Sequence, residues 1–336
     1  MNCELCPRRC GVDRRQLRGA CGAPDALRVS RVSRHTYEEP CISGTRGSGT
    51  VFFCGCSLAC VFCQNKDISR SRNNGELLSD DELYARILAL LESGVHNLNL
   101  VTPTHFVHRL APLLERLKAS GDLRVPVVYN TSGYEIVDTL RRLDGLVDIY
   151  LPDFKYFSPD LSRDYSAAPD YPAIATEAVQ EMYRQTGPYT EEKDLAKRGV
   201  IIRHLVLPGC RADSMNFLRH IASILPPAEI RISVMRQYTP DFAMDCPHKN
   251  LRRRVTKFEY ASVLEEADRL GLIGYRQGKE AATADFTPDF EGEPVEPDAP
   301  VVSVNKPDFE TFNNLQASGG NSSYATYTTA SGWTAV

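Results

Sequence analysis

At 336 residues, with 24% charged side chains and a formal net charge of −4, the chain is long enough for one large α/β domain or two smaller ones. Its slightly acidic balance leaves no basic footprint for nucleic acid, and no stretch is apolar for the length that a bilayer span requires. The N-terminus, Met-Asn-Cys-Glu-Leu-Cys, lacks the apolar core of a secretory leader, so the eleven cysteines are expected in a reducing, cytoplasmic setting as metal ligands rather than disulfides.

The first segment, 1–45, carries Cys3, Cys6, Cys10 and Cys21 in Cys-Glu-Leu-Cys-Pro-Arg-Arg-Cys followed by Gly-Ala-Cys-Gly. Four thiols suit a structural zinc ion or a second iron-sulfur cluster, and the residues do not choose between them. A metal here would serve as a clip that pins the N-terminus or as an electron relay.

From 46 to 280, six short apolar runs (51–54, 97–101, 126–129, 147–151, 199–207 and 230–235) alternate with helical or mixed segments. That alternation is the pattern of a parallel βα architecture. Ser79 and Glu82 form a capping box ahead of Leu83, Ile87 and Leu90. Thr256 and Glu259 form another ahead of Tyr260, Val263, Leu264, Ala267 and Leu270, with Gly271 as the stop. Phe106, Leu110, Leu113, Leu114 and Leu117 repeat at helical spacing and are read as core, as are Ala178, Val179 and Met182.

Six parallel strands give a partial (β/α)6 barrel, in which functional groups come from the C-terminal strand ends. Polar residues do follow the runs: the cysteine loop after the first, Thr102-Pro103-Thr104-His105 after the second, Asn130-Thr131-Ser132-Gly133 after the third, and Pro152-Asp153-Phe154-Lys155 after the fourth. The fifth carries Arg203-His204 and the sixth ends in Arg236-Gln237-Tyr238. Residues 281–310 follow as an acidic, proline-rich linker, and 311–336 as an uncharged, flexible tail with Tyr324, Tyr327 and Trp333.

The most specific motif is Cys56-Ser-Leu-Ala-Cys60-Val-Phe62-Cys63. A closed zinc site wants four ligands, whereas three thiolates on a four-iron four-sulfur cluster leave one iron open to a reactant. The zinc reading needs Cys54 or Cys41 as a fourth ligand. Cys-x-x-x-Cys-x-aromatic-Cys, with Phe62 as the aromatic, resembles the signature of the radical S-adenosylmethionine superfamily. The resemblance implies a 4Fe-4S cluster on Cys56, Cys60 and Cys63, S-adenosylmethionine on the open iron, and reductive cleavage to a 5'-deoxyadenosyl radical. It also implies an electron donor such as flavodoxin or ferredoxin.

Further phrases are similar to one branch, the relatives of pyruvate formate-lyase activating enzyme: Cys-Pro-Arg-Arg-Cys-Gly-Val-Asp-Arg, Glu-Glu-Pro-Cys-Ile-Ser-Gly-Thr, Phe-Cys-Gln-Asn, Asn-Leu-Val-Thr-Pro-Thr-His, Tyr-Asn-Thr-Ser-Gly-Tyr-Glu, Tyr-Leu-Pro-Asp-Phe-Lys-Tyr and Arg-His-Leu-Val-Leu-Pro-Gly. Activases of that branch share an Asp-x-Lys at the fourth strand and an Arg in a strand ending Pro-Gly, which match Asp153, Lys155 and Arg203.

The strand-end argument selects the same residues independently. Asp153 and Lys155, two apart, both face the barrel mouth if the strand runs through them. Asn130 and Thr131 join Asp153 as candidates to hold a small cation or the methionine amine. Arg203 and His204, adjacent in one strand, point to opposite faces; Arg203 is assigned inward to grip a carboxylate and His204 to structure. Thr102, Thr104 and His105 stand where the superfamily places a Gly-Gly-Glu-like segment, which is absent here.

The leading function is hydrogen abstraction from a protein or peptide, after the manner of a glycyl radical enzyme activase. One alternative is radical modification of a peptide at Tyr, Thr or Trp, including the chain's own tail. Another, from a different class, is a zinc-stabilised binding module without turnover.

Overall fold

The computed structural model describes residues 3–70, 74–278 and 281, and the backbone of 333–335. In chain order the elements are β1 (Leu27–His35), α1 (Pro40–Ser43), β2 (Ser48–Phe53), α2 (Lys66–Ser69), β3 (Glu76–Leu78), α3 (Asp80–Glu92), β4 (Leu98–Val101), α4 (Val107–Ser120), β5 (Val127–Thr131), α5 (Val137–Arg141), β6 (Ile149–Pro152), α6 (Pro159–Ser166), α7 (Tyr171–Thr186), β7 (Thr190–Glu192), β8 (Leu195–Leu205), α8 (Arg211–Ile224), β9 (Arg231–Met235), α9 (Lys257–Arg269), β10 (Gly274–Gln277) and β11 (Trp333–Ala335).

Neighbouring strands run β2-β4-β5-β6-β8-β9-β10, every pair parallel, which is the curled open sheet of a partial barrel. All six expected runs become strands of this sheet. A seventh parallel strand, β10, extends it; Gly274-Tyr-Arg-Gln277 is too short and too polar to register as an apolar run. At the other end β1 pairs antiparallel with β2 and continues to β3. The expected linker and tail lie outside the described residues, except Ala281 and β11, whose backbone pairs antiparallel with β10.

The helix starts follow local chemistry. Ser79 Oγ accepts the Glu82 amide at 3.2 Å while Glu82 Oε2 accepts the Ser79 amide at 2.7 Å. Thr256 and Glu259 repeat the exchange at α9. The stripe Leu110, Leu113, Leu114 and Leu117 of α4 is fully buried against the sheet.

Strand alternation divides the sheet's two faces. Leu100, Tyr129, Tyr150 and Ile202 belong to the large core under the helices. Their neighbours Val128, Ile149, Leu151 and Ile201 pack inside the curl around Cys41 and Ile42 of α1. The short helix α1 thus plugs the barrel interior from below, and it carries Glu38 and Glu39 in on its N-terminal side.

Candidate active site

The loop after β2 turns at Gly55, whose φ of +92° suits glycine; a Cβ there would meet the Cys21 carbonyl at 2.7 Å and His105 Nε2 at 3.2 Å. Beyond it Cys56, Cys60 and Cys63 line one cleft with about 220 Å³ of free space at the C-terminal ends of the strands. Burial, reinforced by the neighbouring thiols Cys60 and Cys63, pushes the Cys56 thiol well up. Burial and then Cys60 do the same to Cys63. Three thiols that repel one another's charge form a donor set that a cationic iron cluster would satisfy. The Leu58 amide reaches Cys56 Sγ at 3.4 Å and Ser166 Oγ donates to Cys60 Sγ at 2.9 Å, so polar hydrogens already face the sulfurs.

The facing wall is a charged network. Arg203 Nε donates to Asp153 Oδ1 at 2.9 Å, its Nη2 to Asn130 Oδ1 at 2.6 Å, and its Nη1 to Glu38 Oε2 at 3.3 Å. Lys155 Nζ donates to Asp153 Oδ2 at 2.5 Å. Asn99 and Asn130 both donate to Glu38 Oε1, at 3.0 and 3.1 Å. Burial raises Asp153, but the charges of Arg203 and Lys155 more than offset it and hold its carboxyl below the usual range. The cleft's charged side chains are Glu38, Asp153, Lys155 and Arg203, two acids and two bases that neutralise one another. Thr102 closes this wall with φ +41°, a left-handed conformation unusual for a β-branched residue, while its amide donates to the Asn130 carbonyl at 2.9 Å.

Of the residues expected at the site, Cys56, Cys60, Phe62, Cys63, Thr102, Asn130, Asp153, Lys155 and Arg203 line this one cleft. Thr104, His105 and Thr131 do not. Thr104 and Thr131 donate to the buried carboxylate of Glu135, whose Oε2 has no partner and whose pKa burial lifts to about 7. His105 Nε2 donates to the Cys54 carbonyl at 2.8 Å, and burial lowers its pKa to about 3, so it stays neutral. His204 points away from Arg203, with Nε2 at 2.8 Å from Ser214 Oγ and its ring stacked on Phe217.

The N-terminal cysteines stand outside the cleft but are tied to its loop. The Cys56 amide donates to the Cys21 carbonyl at 3.2 Å, and Arg8 donates to the Ser57 and Ala167 carbonyls at 2.8 and 2.6 Å. Cys10 and Cys21 Sγ lie close enough that a Cβ on Gly19 would meet both. Among the described residues, no three His, Cys, Asp or Glu side chains are drawn together at the spacing of a single bound ion.

Residues 50–209 match the family model of the Radical SAM superfamily. An uncharacterized protein of Methanocaldococcus jannaschii is 31% identical over 281 residues, covering 81% of this chain and 75% of the relative. The chain belongs to the radical SAM superfamily. Solved structures with similar folds include SuiB of Streptococcus suis bound to its precursor peptide SuiA (TM-score 0.49, 12% identity, 68% of this chain and 48% of that one). A domain of pyruvate-formate lyase-activating enzyme from Bacteroides vulgatus is another (TM-score 0.36, 14% identity, 51% of this chain and 91% of that one). The chain therefore spans about half the length of the SuiB structure.

Membership of the superfamily implies a 4Fe-4S cluster and S-adenosylmethionine as cofactors. No helix among the described residues is long and apolar enough to cross a membrane. The contributions to the cleft not anticipated as site residues include Glu38 and the Gln64–Gln237 pair. Glu38 arrives on the β1–α1 connection, far from any strand end, and its only sequence signal was the Glu-Glu-Pro phrase. Gln64 and Gln237 meet across the mouth, with Gln237 Nε2 donating to Gln64 Oε1 at 3.1 Å and Gln277 Nε2 donating to Gln237 Oε1 at 2.7 Å.

Proposed function

We propose that this radical SAM enzyme abstracts hydrogen from a protein or peptide, as the glycyl radical enzyme activases it resembles do. The observation that carries the reading is the amide rim. Gln64, Asn65 and Gln237 line the cleft as neutral amides; Gln64 and Gln237 bond each other, yet each amide nitrogen keeps a second hydrogen, while the four charged lining residues are paired among themselves. Such a rim complements a peptide backbone, which offers the same groups in the same alternation.

Cys56, Cys60 and Cys63 would hold the cluster, and with S-adenosylmethionine bound the pair supplies the radical that abstracts hydrogen. Lys155, Arg203 and Asn130 would hold the carboxylate and amine of S-adenosylmethionine, and the aromatic packing around Phe62 keeps water from that end. Cys3, Cys6, Cys10 and Cys21 would hold zinc or a second iron-sulfur cluster.

Anaerobically reconstituted, reduced protein should form 5'-deoxyadenosine and leave a glycyl radical signal, by electron paramagnetic resonance, on a partner enzyme. Colourless protein that carries only zinc and leaves S-adenosylmethionine intact would remove the enzyme reading in favour of a binding module.

A second reading, modification of a peptide at Tyr, Thr or Trp in its own tail, draws on β11. Its Trp333 pairs with Gln277, the residue that anchors Gln237 at the mouth. Mass spectrometry of 311–336 after turnover decides it, because an unchanged tail mass excludes self-modification.

A further inference from the structure

The segment that follows β9 departs from the chain's overall acidity. Between Pro247 and Phe258 stand Lys249, Arg252, Arg253, Arg254 and Lys257 with no acidic residue among them, and all five are exposed. Arg253 pairs with Glu259 at 2.7 Å and Arg252 donates to the Cys246 carbonyl at 3.0 Å. Lys249, Arg254 and Lys257 form no ion pair among the described residues. Phe258, 67% exposed and covered on one side by the Arg211 guanidinium, adds an apolar contact at the end of the run. The nearby acids include Asp245, which precedes the run, Glu259, which Arg253 holds, and Asp164, which Arg163 holds at 3.0 Å.

This patch sits over the back of the cysteine loop. The His248 ring packs edge-on to Tyr165, 4.8 Å between centroids, and donates through Nε2 to the Asp164 carbonyl at 3.2 Å. Asn250 Nδ2 donates to the Tyr165 hydroxyl at 2.8 Å. Tyr165 in turn accepts the Val61 amide on its carbonyl at 2.8 Å, and the next residue, Ser166, donates to Cys60 Sγ at 2.9 Å. A single residue pair therefore separates the basic surface from the thiol of Cys60. None of Tyr165, His248, Lys249 or Asn250 lines the cleft. The route reaches Cys60 without passing through the cleft.

We propose that the surface formed by Lys249, Arg252, Arg254, Lys257 and Phe258 docks an acidic one-electron carrier protein, which reduces the cluster through the His248–Tyr165–Ser166–Cys60 contacts. The inference rests on the radical SAM reading of Cys56, Cys60 and Cys63, and names the face from which the reducing equivalent enters. One electron leaves the carrier, which departs oxidised by one, and the cluster gains it. No atom or proton crosses the interface. Charge complementarity selects the carrier and steers its approach, and it makes docking sensitive to salt. A nucleic acid would satisfy the same charges but gains nothing from a contact path to Cys60.

The test uses reconstituted protein and reduced ferredoxin, with K249E/R254E/K257E as the variant, since these three side chains form no ion pair among the described residues. Ferredoxin binding, read by calorimetry at low salt, should weaken at least about tenfold, and ferredoxin-driven cluster bleaching should slow by a similar factor. Both effects should shrink as salt rises. Dithionite, too small to need a docking face, should reduce wild type and variant at the same rate, and the melting temperature should hold. Undiminished ferredoxin binding, equal loss with both reductants, or loss of duplex nucleic-acid binding in place of ferredoxin binding would each overturn the proposal. Failure of wild type to cleave S-adenosylmethionine with dithionite would instead sink the underlying enzyme reading.

Discussion

Glu38 and Arg203 stand 165 positions apart in the chain and meet at 3.3 Å inside the barrel. Arg203 spreads its guanidinium over Glu38, Asp153 and Asn130, and Glu38 also gathers Asn99 and Asn130, so one carboxylate orders two side chains of the cleft wall, Arg203 and Asn130, and Asn99 beside them. Glu38→Ala leaves a buried cation with one partner fewer and should cost about 2–4 kcal/mol of stability. Glu38→Gln preserves the shape and should cost less while still weakening S-adenosylmethionine binding. Chemical denaturation and equilibrium binding of S-adenosylmethionine measure the two effects. Wild-type affinity in both variants would remove Glu38 from the site.

Gly133 has φ +75°, and a Cβ on it would overlap the Asp153 carbonyl. Gly133→Ala should therefore cost more than about 2 kcal/mol and displace the Asp153–Lys155 pair. A melting curve identical to wild type would show that β5 and β6 are not locked together there.

Replacing Cys56, Cys60 and Cys63 together by Ala should abolish S-adenosylmethionine cleavage and remove four irons per chain from the anaerobically reconstituted protein. Metal analysis of the same variant isolates whatever Cys3, Cys6, Cys10 and Cys21 retain. Residual iron with sulfide identifies a second cluster there, and residual zinc a structural ion.

Glu39 is fully buried, with Oε1 accepting from Ser233 Oγ at 2.7 Å and Oε2 without a partner. Burial raises its pKa to about 7 against the pull of Arg203. The folded state then binds a proton that the unfolded chain releases above its ordinary carboxylate range. Stability from this group falls as pH rises from about 4.5 to about 7 and is flat beyond. Glu39→Gln should flatten that slope and raise the denaturation midpoint at pH 8 relative to wild type. Parallel pH profiles for the two proteins would assign the titration elsewhere.

Gln237→Ala removes the amide that bridges Gln64 and Gln277. A peptide-binding rim predicts a KM for the peptide substrate raised several-fold, with S-adenosylmethionine cleavage in the absence of peptide unchanged. An equal loss in both reactions would place Gln237 in the architecture of the cleft rather than at its rim.

Much of this was local physics and therefore readable from the chain. Ser79–Glu82 and Thr256–Glu259 cap helices because capping involves only four consecutive residues. Arg203 and His204 take opposite faces because a strand alternates with period two. The cysteine loop is a local spacing too, and it identified the superfamily before any fold was drawn.

Other features depended on which elements meet. Thr131 and Asn130 are neighbours in one strand, yet the curl of the sheet sends Asn130 into the cleft and Thr131 under the helices to Glu135. Alternation fixes that they differ; only the curled sheet decides which one faces inward. Glu38 and Glu39 became barrel residues because α1 plugs the interior, a long-range packing event with no periodic signal. The protonation of Glu39 follows from that burial, since desolvation depends on everything packed around a carboxyl and not on its sequence neighbours.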